Sequence, residues 1–467
     1  PLDRSAEVME LLAAVDMHGI QTSGNCIRNI TSDVFAGIAT DEIVDPRPYC
    51  EVLRQWSTLH PEFAHLPRKF KIAVSGALED RAAIGWHDVG LQLRKNAAGE
   101  VGFEVLVGGG MGRTPIVGTV INSFVPWQQI LVYLEAIVRV YNLYGRRDNL
   151  YKARIKILVK AEGQKYFDAV NAEFARILAD DAGGHEHIIP DSELARVKAC
   201  FVDPVGVAPQ AEPTLDTSDK AFARWLERNV HPHRVPGLRA VTLSLKRLGI
   251  PPGDTSADVM DTAAALADRF SLGELRVSHR QNLVLPWVKA SDLSELFQAA
   301  RAAGFATSNA GLLTDQIACP GGDFCALANA RSLPLAAELA ERYQDPDELE
   351  ALGDLDLHIS GCINSCGHHH SGHIGVLGVD KDGTEWYQLT LGGSDGSSLS
   401  GPAVAGKVVG PSFAAGEIAD AIDAVIDTFQ QQRQAGERFI DALKRLGHEP
   451  FKAAANAVRT STAKVQA

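Results

Sequence analysis

The sequence has 467 residues, of which 45% are hydrophobic and 22% charged, and its formal net charge is −13. These values are ordinary for a globular protein that is long enough for several domains. The acidic balance argues against nucleic-acid binding, which requires a basic surface. No uninterrupted apolar run reaches about 18 residues, so the sequence predicts no membrane-spanning helix.

A pattern near the start of the chain returns much later. Residues 5–18 carry apolar side chains at the spacing of an amphipathic helix, and residues 291–303 repeat that spacing 285 positions further on. Ser75 and its following glycine return at Ser360 with the same offset. We interpret this as an internal duplication.

The repeat also carries an expectation for the beginning of the chain. The second copy starts near His231, with a predicted helix over 256–270 and a strand-like stretch over 275–285. The first copy has no room for either element. The duplication therefore predicts that roughly fifty or more residues once preceded Pro1.

Other stretches predict the connecting elements. Residues 127–180 have a helical pattern, and 181–232, richer in Asp, Pro and Gly, are interpreted as a linker. Residues 416–446 predict a late helix or helix pair, and the tail after Lys452 is expected to fray. Strands and helices without regular alternation indicate an α+β fold.

Four of the seven cysteines form two close pairs, Cys319 with Cys325 and Cys362 with Cys366. Four thiolates suffice to hold an iron–sulfur cluster. A structural zinc site is the main alternative, although five residues between the first two cysteines exceed the usual spacing of zinc loops. Disulfides are disfavoured by the odd total in a chain of this size.

The first copy has no thiols at the positions that match Cys319 and Cys362, and it concentrates cations elsewhere instead. Arg68, Lys69 and Lys71 occupy one short strand, and Arg28 lies further upstream. Alternation along a strand places Lys69 and Lys71 on one face and Arg68 on the other. Such a cluster suits a small oxyanion, the alternative being a solvated basic strand.

A glycine-rich stretch at 108–112 is followed by Arg113, which occupies the position where a dinucleotide-binding motif needs its third glycine. A loop of this kind suits close approach to a large polyanionic cofactor, the alternative being a plain turn. His368, His369, His370 and His373 follow the last cysteine pair, and a histidine cluster of this kind usually suggests metal binding.

Seven cations between 146 and 165 form a further basic stretch, which includes Lys152 and Lys156. It predicts a docking surface for an acidic electron donor, an ordinary solvated helix face, or a helix face turned toward the carboxylates of a cofactor.

Together these motifs resemble those of the sirohaem-dependent nitrite and sulfite reductase family. The resemblance rests on the cysteine pattern and on three further stretches, 24–29, 66–71 and 108–115. It implies that Cys319, Cys325, Cys362 and Cys366 bind a [4Fe-4S] cluster, with Cys366 also bridging to the sirohaem iron. It further implies substrate-binding roles for Arg28, Lys69 and Lys71, and positions near sirohaem for Arg68, Arg113 and Asn364.

The resemblance implies three α+β domains with pseudo-twofold duplication: ferredoxin-like repeats and two larger sirohaem and cluster domains. We expect a repeat domain of 1–20 plus 231–308, a substrate domain of 21–230 and a cluster domain of 309–467.

The implied activity is the six-electron reduction of sulfite to sulfide in the cytoplasm, with ferredoxin or a flavoprotein reductase as donor. Nitrite reduction to ammonia is the alternative, and Lys71 favours the more highly charged sulfite. Two rival interpretations are a zinc-binding structural protein and a tetrapyrrole-binding protein that reduces nothing.

Overall fold

The computed structural model describes residues 2–180 and 188–465. The fold is α+β, as predicted, and is built around three separate sheets. Within the described residues, none of the helices combines the length and the apolar character needed to cross a membrane. Short 3₁₀ turns connect several elements, at Leu2–Arg4, Pro61–Phe63, Ile84–Trp86, Trp127–Gln129, Leu150–Lys152, Ala290–Asp292 and Gly321–Asp323.

The first large unit is a five-stranded sheet covered by helices. Its strands follow the order β1-β2-β3-β4-β5, the first three parallel and the last two antiparallel. Buried aliphatic and aromatic side chains from both layers form one core. The elements, beginning with the N-terminal helix, are α1 (Ser5–Ala13), β1 (Ile27–Ser32), α2 (Arg47–Thr58), β2 (Phe70–Ser75), β3 (Val89–Lys95), β4 (Val101–Val107), β5 (Thr119–Pro126), α3 (Ile130–Tyr144), α4 (Ile155–Glu162), α5 (Gln164–Asp180) and α6 (Asp191–Lys198).

The middle unit is a four-stranded antiparallel sheet in the order β6-β7-β9-β8. Its helices pack on the sheet around their own core, which includes Trp225 and Phe297. The elements are α7 (Lys220–Asn229), β6 (Val230–Pro232), β7 (Leu238–Leu243), α8 (Ala257–Phe270), β8 (Arg276–Val277), β9 (Leu283–Lys289) and α9 (Leu293–Ala302).

The last unit repeats the architecture of the first. Its sheet runs β10-β11-β12-β13-β14, with β15 also paired to β13, and again three parallel strands precede antiparallel ones. The elements are β10 (Ile317–Ala318), α10 (Leu333–Arg342), α11 (Pro346–Leu352), β11 (Leu357–Ser360), β12 (Ile374–Lys381), β13 (Thr384–Leu391), β14 (Lys407–Val408), β15 (Phe413–Ala414), α12 (Ile418–Gln432), α13 (Phe439–Leu446) and α14 (Glu449–Val465).

The two large units confirm the internal duplication at the level of single contacts. A Cβ atom on Gly109 would lie 2.4 Å from the carbonyl oxygens of Gly85 and His87. A Cβ atom on its counterpart Gly393 would lie 2.4 Å from the oxygen of His370 and 2.5 Å from that of Gly372. Since 370 and 372 are the repeat positions of 85 and 87, both copies fold the same backbone crossing.

Some sequence-based expectations were wrong. The expected linker contains α6 and α7, although its residues 181–187 lie outside the described part of the chain. The tail expected to fray forms α14, in which Phe451 and Ala455 are fully buried. The strand-like stretch over 275–285 is two strands separated by a turn, because Gln281 adopts a left-handed backbone.

The helix at the start of the chain differs from its repeat in burial. Val8 and Leu11 are 53% and 64% exposed, whereas their counterparts Leu293 and Leu296 are 2% and 0% exposed. The three sheets lie within 27–126, 230–289 and 317–414, and the domain boundaries around them remain a prediction.

Gly109→Ala tests the backbone crossing. The added methyl group would overlap two carbonyl oxygens that belong to the backbone, so we expect the free energy of unfolding to fall by about 1–3 kcal/mol. Gly416→Ala is the control, because no atom lies within 4 Å of its Cβ position. Urea denaturation measures both, and equal stability of the two variants would contradict this account.

Candidate active site at the junction of the two copies

The two cysteine loops are held side by side by the backbone of Gly361. Its carbonyl oxygen accepts hydrogen bonds from the amides of Asn329 (2.8 Å) and Ala330 (3.1 Å). Its own N–H donates to Sγ of Cys319 at 3.1 Å. A Cβ atom here would lie 2.6 Å from the oxygen of Ala330 and 2.8 Å from Cα of Gly321, so only glycine permits the approach.

The four thiols differ in burial, and two of them, Cys319 and Cys362, act electrostatically on Cys366. Cys362 is buried, Cys319 and Cys325 are partly buried, and Cys366 is exposed. The surrounding protein raises the pKa of the Cys366 thiol, and the neighbouring Cys319 and Cys362 raise it further. Within 2–180 and 188–465, no three His, Cys, Asp or Glu side chains converge on a single-ion position, as the donors of a tetrahedral zinc site would.

The predicted cations gather opposite Cys366. Burial lowers the pKa of Lys69, and the positive charges of Arg154, Lys71 and Arg28 lower it further, while Cys366 opposes the shift. The pKa of Lys71 is lowered in the same way. In the part of the chain that the structure covers, the Nζ atom of neither lysine has a hydrogen-bond acceptor or an ion-pair partner.

Two residues that the sequence analysis did not assign to the site support this cluster. Asp88, which is fully buried, accepts two hydrogen bonds from Arg154 on Oδ1, at 2.9 and 2.7 Å. Its Oδ2 accepts a third from the backbone N–H of Lys71 at 3.0 Å. Asp88 thus fixes both the strand that carries Lys71 and the guanidinium that repels the two lysines.

The ammonium group of Lys156 binds the backbone of the glycine-rich loop. The ammonium group, on a residue only 5% exposed, donates to the carbonyl oxygens of Gly110 (3.3 Å), Thr114 (2.6 Å) and Met111. Burial, followed by the charge of Arg154, lowers the pKa of Lys156 to about 8. The loop therefore rests on a buried cation.

This loop meets the last cysteine pair across the boundary between the two copies. His370 donates from Nε2 to the carbonyl oxygen of Gly112 at 2.9 Å. A Cβ atom on Gly112 would lie 3.7 Å from the oxygen of Ile363. Arg113 and Asn364 are both exposed beside this contact, and Arg68 is partly buried just before β2. Each copy thus supplies one wall of the junction.

The histidines after Cys366 hold this loop in place. His369 shares a 3.1 Å hydrogen bond with Ser365, while its buried Nε2 has no partner among the described residues. His373 accepts from the backbone N–H of Asp356 at 3.2 Å. These contacts give the cluster-side loop a fixed shape.

The basic stretch over 146–165 is divided between the interior and the surface, so no single one of the expected faces describes all of it. Arg154 and Lys156 turn inward to Asp88 and the glycine-rich loop, whereas Lys152, Lys160 and Lys165 are exposed. The sequence contains no signal for this division, because Lys152, Lys156 and Lys160 are four residues apart, as on a single solvated helix face.

Residues 23–176 and 311–462 match the family model described as the nitrite and sulphite reductase 4Fe-4S domain. Residues 243–303 match the nitrite/sulfite reductase ferredoxin-like half domain. The chain belongs to the nitrite and sulphite reductase family. Both large units match the same domain, which agrees with the duplication, and the domain identifies an iron–sulfur cofactor.

Individual family members are distant but similar over most of their length. Sulfite reductase [ferredoxin] 1 of Mycolicibacterium paratuberculosis is 28% identical over 466 residues, which cover 96% of this chain and 75% of that protein. The assimilatory ferredoxin-dependent nitrite reductase of Haloferax mediterranei is 28% identical over 453 residues, 94% of this chain and 71% of that protein. The structure of the Mycobacterium tuberculosis NirA protein aligns with a TM-score of 0.74 and 25% identity, covering 96% of this chain and 76% of that one.

Asp88→Asn tests the support of the lysine strand. The amide cannot neutralise Arg154, so a partly buried guanidinium loses its counter-charge, and we expect a loss of about 3 kcal/mol in the free energy of unfolding. Glu104→Gln is the control: it removes a partly exposed ion pair with Arg94 near the surface and should cost less than about 1 kcal/mol. Chemical denaturation compares them. Equal, small losses would show that Asp88 is dispensable.

Proposed function

We propose that this protein reduces sulfite to sulfide, using electrons from a ferredoxin-class donor. The observation that carries the proposal is the group of cations facing Cys366: Lys69 and Lys71 present ammonium groups without protein acceptors, and Arg28 lies beside them. Such a site attracts a small oxyanion. Without a bound anion, the burial and mutual repulsion of these cations destabilise their charged forms.

The four cysteines suit a [4Fe-4S] cluster. In such a cluster each of four thiolates binds a different iron, and the chain offers four cysteines on two adjacent loops that the backbone of Gly361 joins. The N–H of Gly361, directed at Sγ of Cys319, matches the hydrogen bonds that tune such clusters. We therefore assign Cys319, Cys325, Cys362 and Cys366 as its ligands.

The junction between the copies suits sirohaem. Gly110 and Gly112 have φ values of +154° and +94°, so their backbone forms an open cradle without side chains. Arg68 and Arg113 offer guanidinium groups for the carboxylates of the macrocycle, and Asn364 lies on the opposite wall. Cys366, the exposed cysteine of the four, would serve as the ligand shared by the two cofactors. When bound, the cluster and the sirohaem supply the electron-transfer chemistry.

The protein's own residues then have two tasks. Arg28, Lys69 and Lys71 bind the oxyanion by charge. The reduction of one sulfite to hydrosulfide consumes six electrons and seven protons and releases three waters. Lysines whose pKa is lowered by burial and by Arg154 release protons more readily than ordinary lysines, so Lys69 and Lys71 are suited to supply them.

Nitrite is the second candidate substrate. Relatives named sulfite reductase and nitrite reductase are equally identical to this chain, at 28%. Lys71 favours sulfite, because a dianion gains more from a second ammonium group than a monoanion does.

The names of both relatives contain ferredoxin, which supports a ferredoxin donor. A flavoprotein reductase is the alternative. The exposed Lys152, Lys160 and Lys165 offer a positive surface for an acidic donor.

Lys71→Asn tests the substrate assignment. Loss of one charged contact is worth about 1.5–3 kcal/mol, so kcat/KM for sulfite should fall by roughly ten- to a hundredfold. We expect a smaller fall for nitrite. Steady-state rates with reduced methyl viologen measure both substrates without involving donor docking.

Lys289→Asn is the matched control, since Lys289 is exposed at the end of β9 and should leave both rates unchanged. Wild-type protein that reduces nitrite as efficiently as sulfite would refute the sulfite assignment. If kcat/KM fell equally for sulfite and nitrite in the Lys71 variant, Lys71 would not be the residue that favours sulfite over nitrite.

A further inference from the structure

A buried chain of charged groups runs from the middle unit to the loop that carries Cys366. Arg280 donates from Nη1 to Oδ1 of Asp356 at 2.8 Å. The same oxygen lies 3.1 Å from Nε2 of His358. The other ring nitrogen of His358, Nδ1, lies 3.0 Å from the backbone carbonyl oxygen of His368. Asp356 and His358 are only 2% and 3% exposed.

Hydrogen-bonding chemistry determines the charge of His358. A carboxylate oxygen and a carbonyl oxygen both accept hydrogen bonds, so both ring nitrogens must donate, and only an imidazolium carries two N–H groups. The pKa values agree. Burial opposes the charged form, but Asp356 raises the pKa of His358 above its ordinary value. Despite burial, Arg280 and His358 hold the pKa of Asp356 well below its usual range.

A neighbouring histidine provides a contrast. Nδ1 of His373 accepts from the backbone N–H of Asp356 at 3.2 Å, so this nitrogen has no proton. Its Nε2 donates to Oγ of Ser400 at 2.9 Å. Burial lowers the pKa of His373. His358 and His373 are both buried, and both contact Asp356. Only His358 is charged.

His358 lies between the two cysteine loops. On one side, the carbonyl oxygen of His368, two positions after Cys366, also accepts from the amide of Ser371 at 2.9 Å, in a turn with φ of +57° at His368. On the other side, Ile359, the next residue of β11, accepts from the amide of Cys319 at 3.1 Å. A charge at His358 therefore lies close to both loops.

We propose that His358 is a positioning residue, a buried imidazolium that fixes the turn after Cys366 and maintains a positive charge beside the cluster. Arg280 and His358 carry the positive charges of this group, and Asp356 and Asp395, the latter 3.9 Å from Nη2 of Arg280, carry the negative ones, so loss of the imidazolium makes the group one unit more negative. A nearby positive charge in a low-dielectric region stabilises the more negative, reduced cluster and so raises its reduction potential. The inference rests on the proposed ligation of the cluster by the four cysteines.

The test uses three full-length variants purified anaerobically with their cofactors. His358→Gln removes the charge, His358→Lys retains a charge, and His373→Gln replaces the neutral histidine. A redox titration followed by electron paramagnetic resonance measures the potential of the cluster. We expect a more negative potential in His358→Gln, a value nearer that of the wild type in His358→Lys, and no shift in His373→Gln.

An unshifted potential in His358→Gln, or the same shift in His373→Gln, would overturn the proposal. Iron and labile sulfide are counted in every sample. A wild-type protein without a cluster would refute the proposed ligation and this inference with it, whereas a loaded wild type with an unshifted variant would refute only the role of His358. If neither His358 variant retains iron, Arg280→Met removes a positive charge of the same group from outside the cysteine loops. A more negative potential would then support the proposal, and an unchanged one would contradict it.

Discussion

The close backbone contact at Gly361 is the constraint on which the site depends. It joins the loop of Cys319 and Cys325 to the loop of Cys362 and Cys366, and it leaves no space for a side chain. Backbone hydrogen bonds make this contact, so it positions the thiols before any metal binds. Folding of the second copy therefore brings together four cysteines that are separated in sequence.

Duplication followed by divergence explains why the two copies differ in charge. Lys71 of the first copy aligns with Asp356 of the second, and Arg81 aligns with Cys366, each 285 positions apart. In the second copy Asp356 forms an ion pair with Arg280, so its negative charge is balanced within the protein. In the first copy Arg81 is paired with three carboxylates. Lys69 and Lys71 of the first copy have no ion-pair partner among the described residues. They and Cys366 of the second copy lie at the same junction.

Much of this organisation was predictable from sequence because it leaves local or periodic marks. The repeat was visible in the spacing of Ser75 and Ser360, and the cysteine pairs in their short intervals. Asp88 was not predictable, since a single carboxylate before a strand has no pattern that reveals its three hydrogen bonds. His358 was missed for the same reason, because its charge follows from an acceptor ten positions away.

Other errors came from tertiary packing that overrides composition. The polar tail forms α14 because Phe451 and Ala455 pack into the core of the second copy. The basic stretch that includes Lys156 was expected to face an electron donor, solvent or a cofactor, because charge usually predicts exposure. Three backbone carbonyls of the glycine-rich loop satisfy its ammonium group instead.

The central claim is that the junction of the two copies holds a cluster next to a sirohaem. The most direct measurement is the absorption spectrum of anaerobically purified protein, with iron and labile sulfide determined on the same sample. We predict a Soret band, a strong red band, and iron in excess of a single haem iron, with labile sulfide present. A colourless protein that contains zinc and no iron, and that stays colourless after reconstitution with sirohaem, iron and sulfide, would contradict the account.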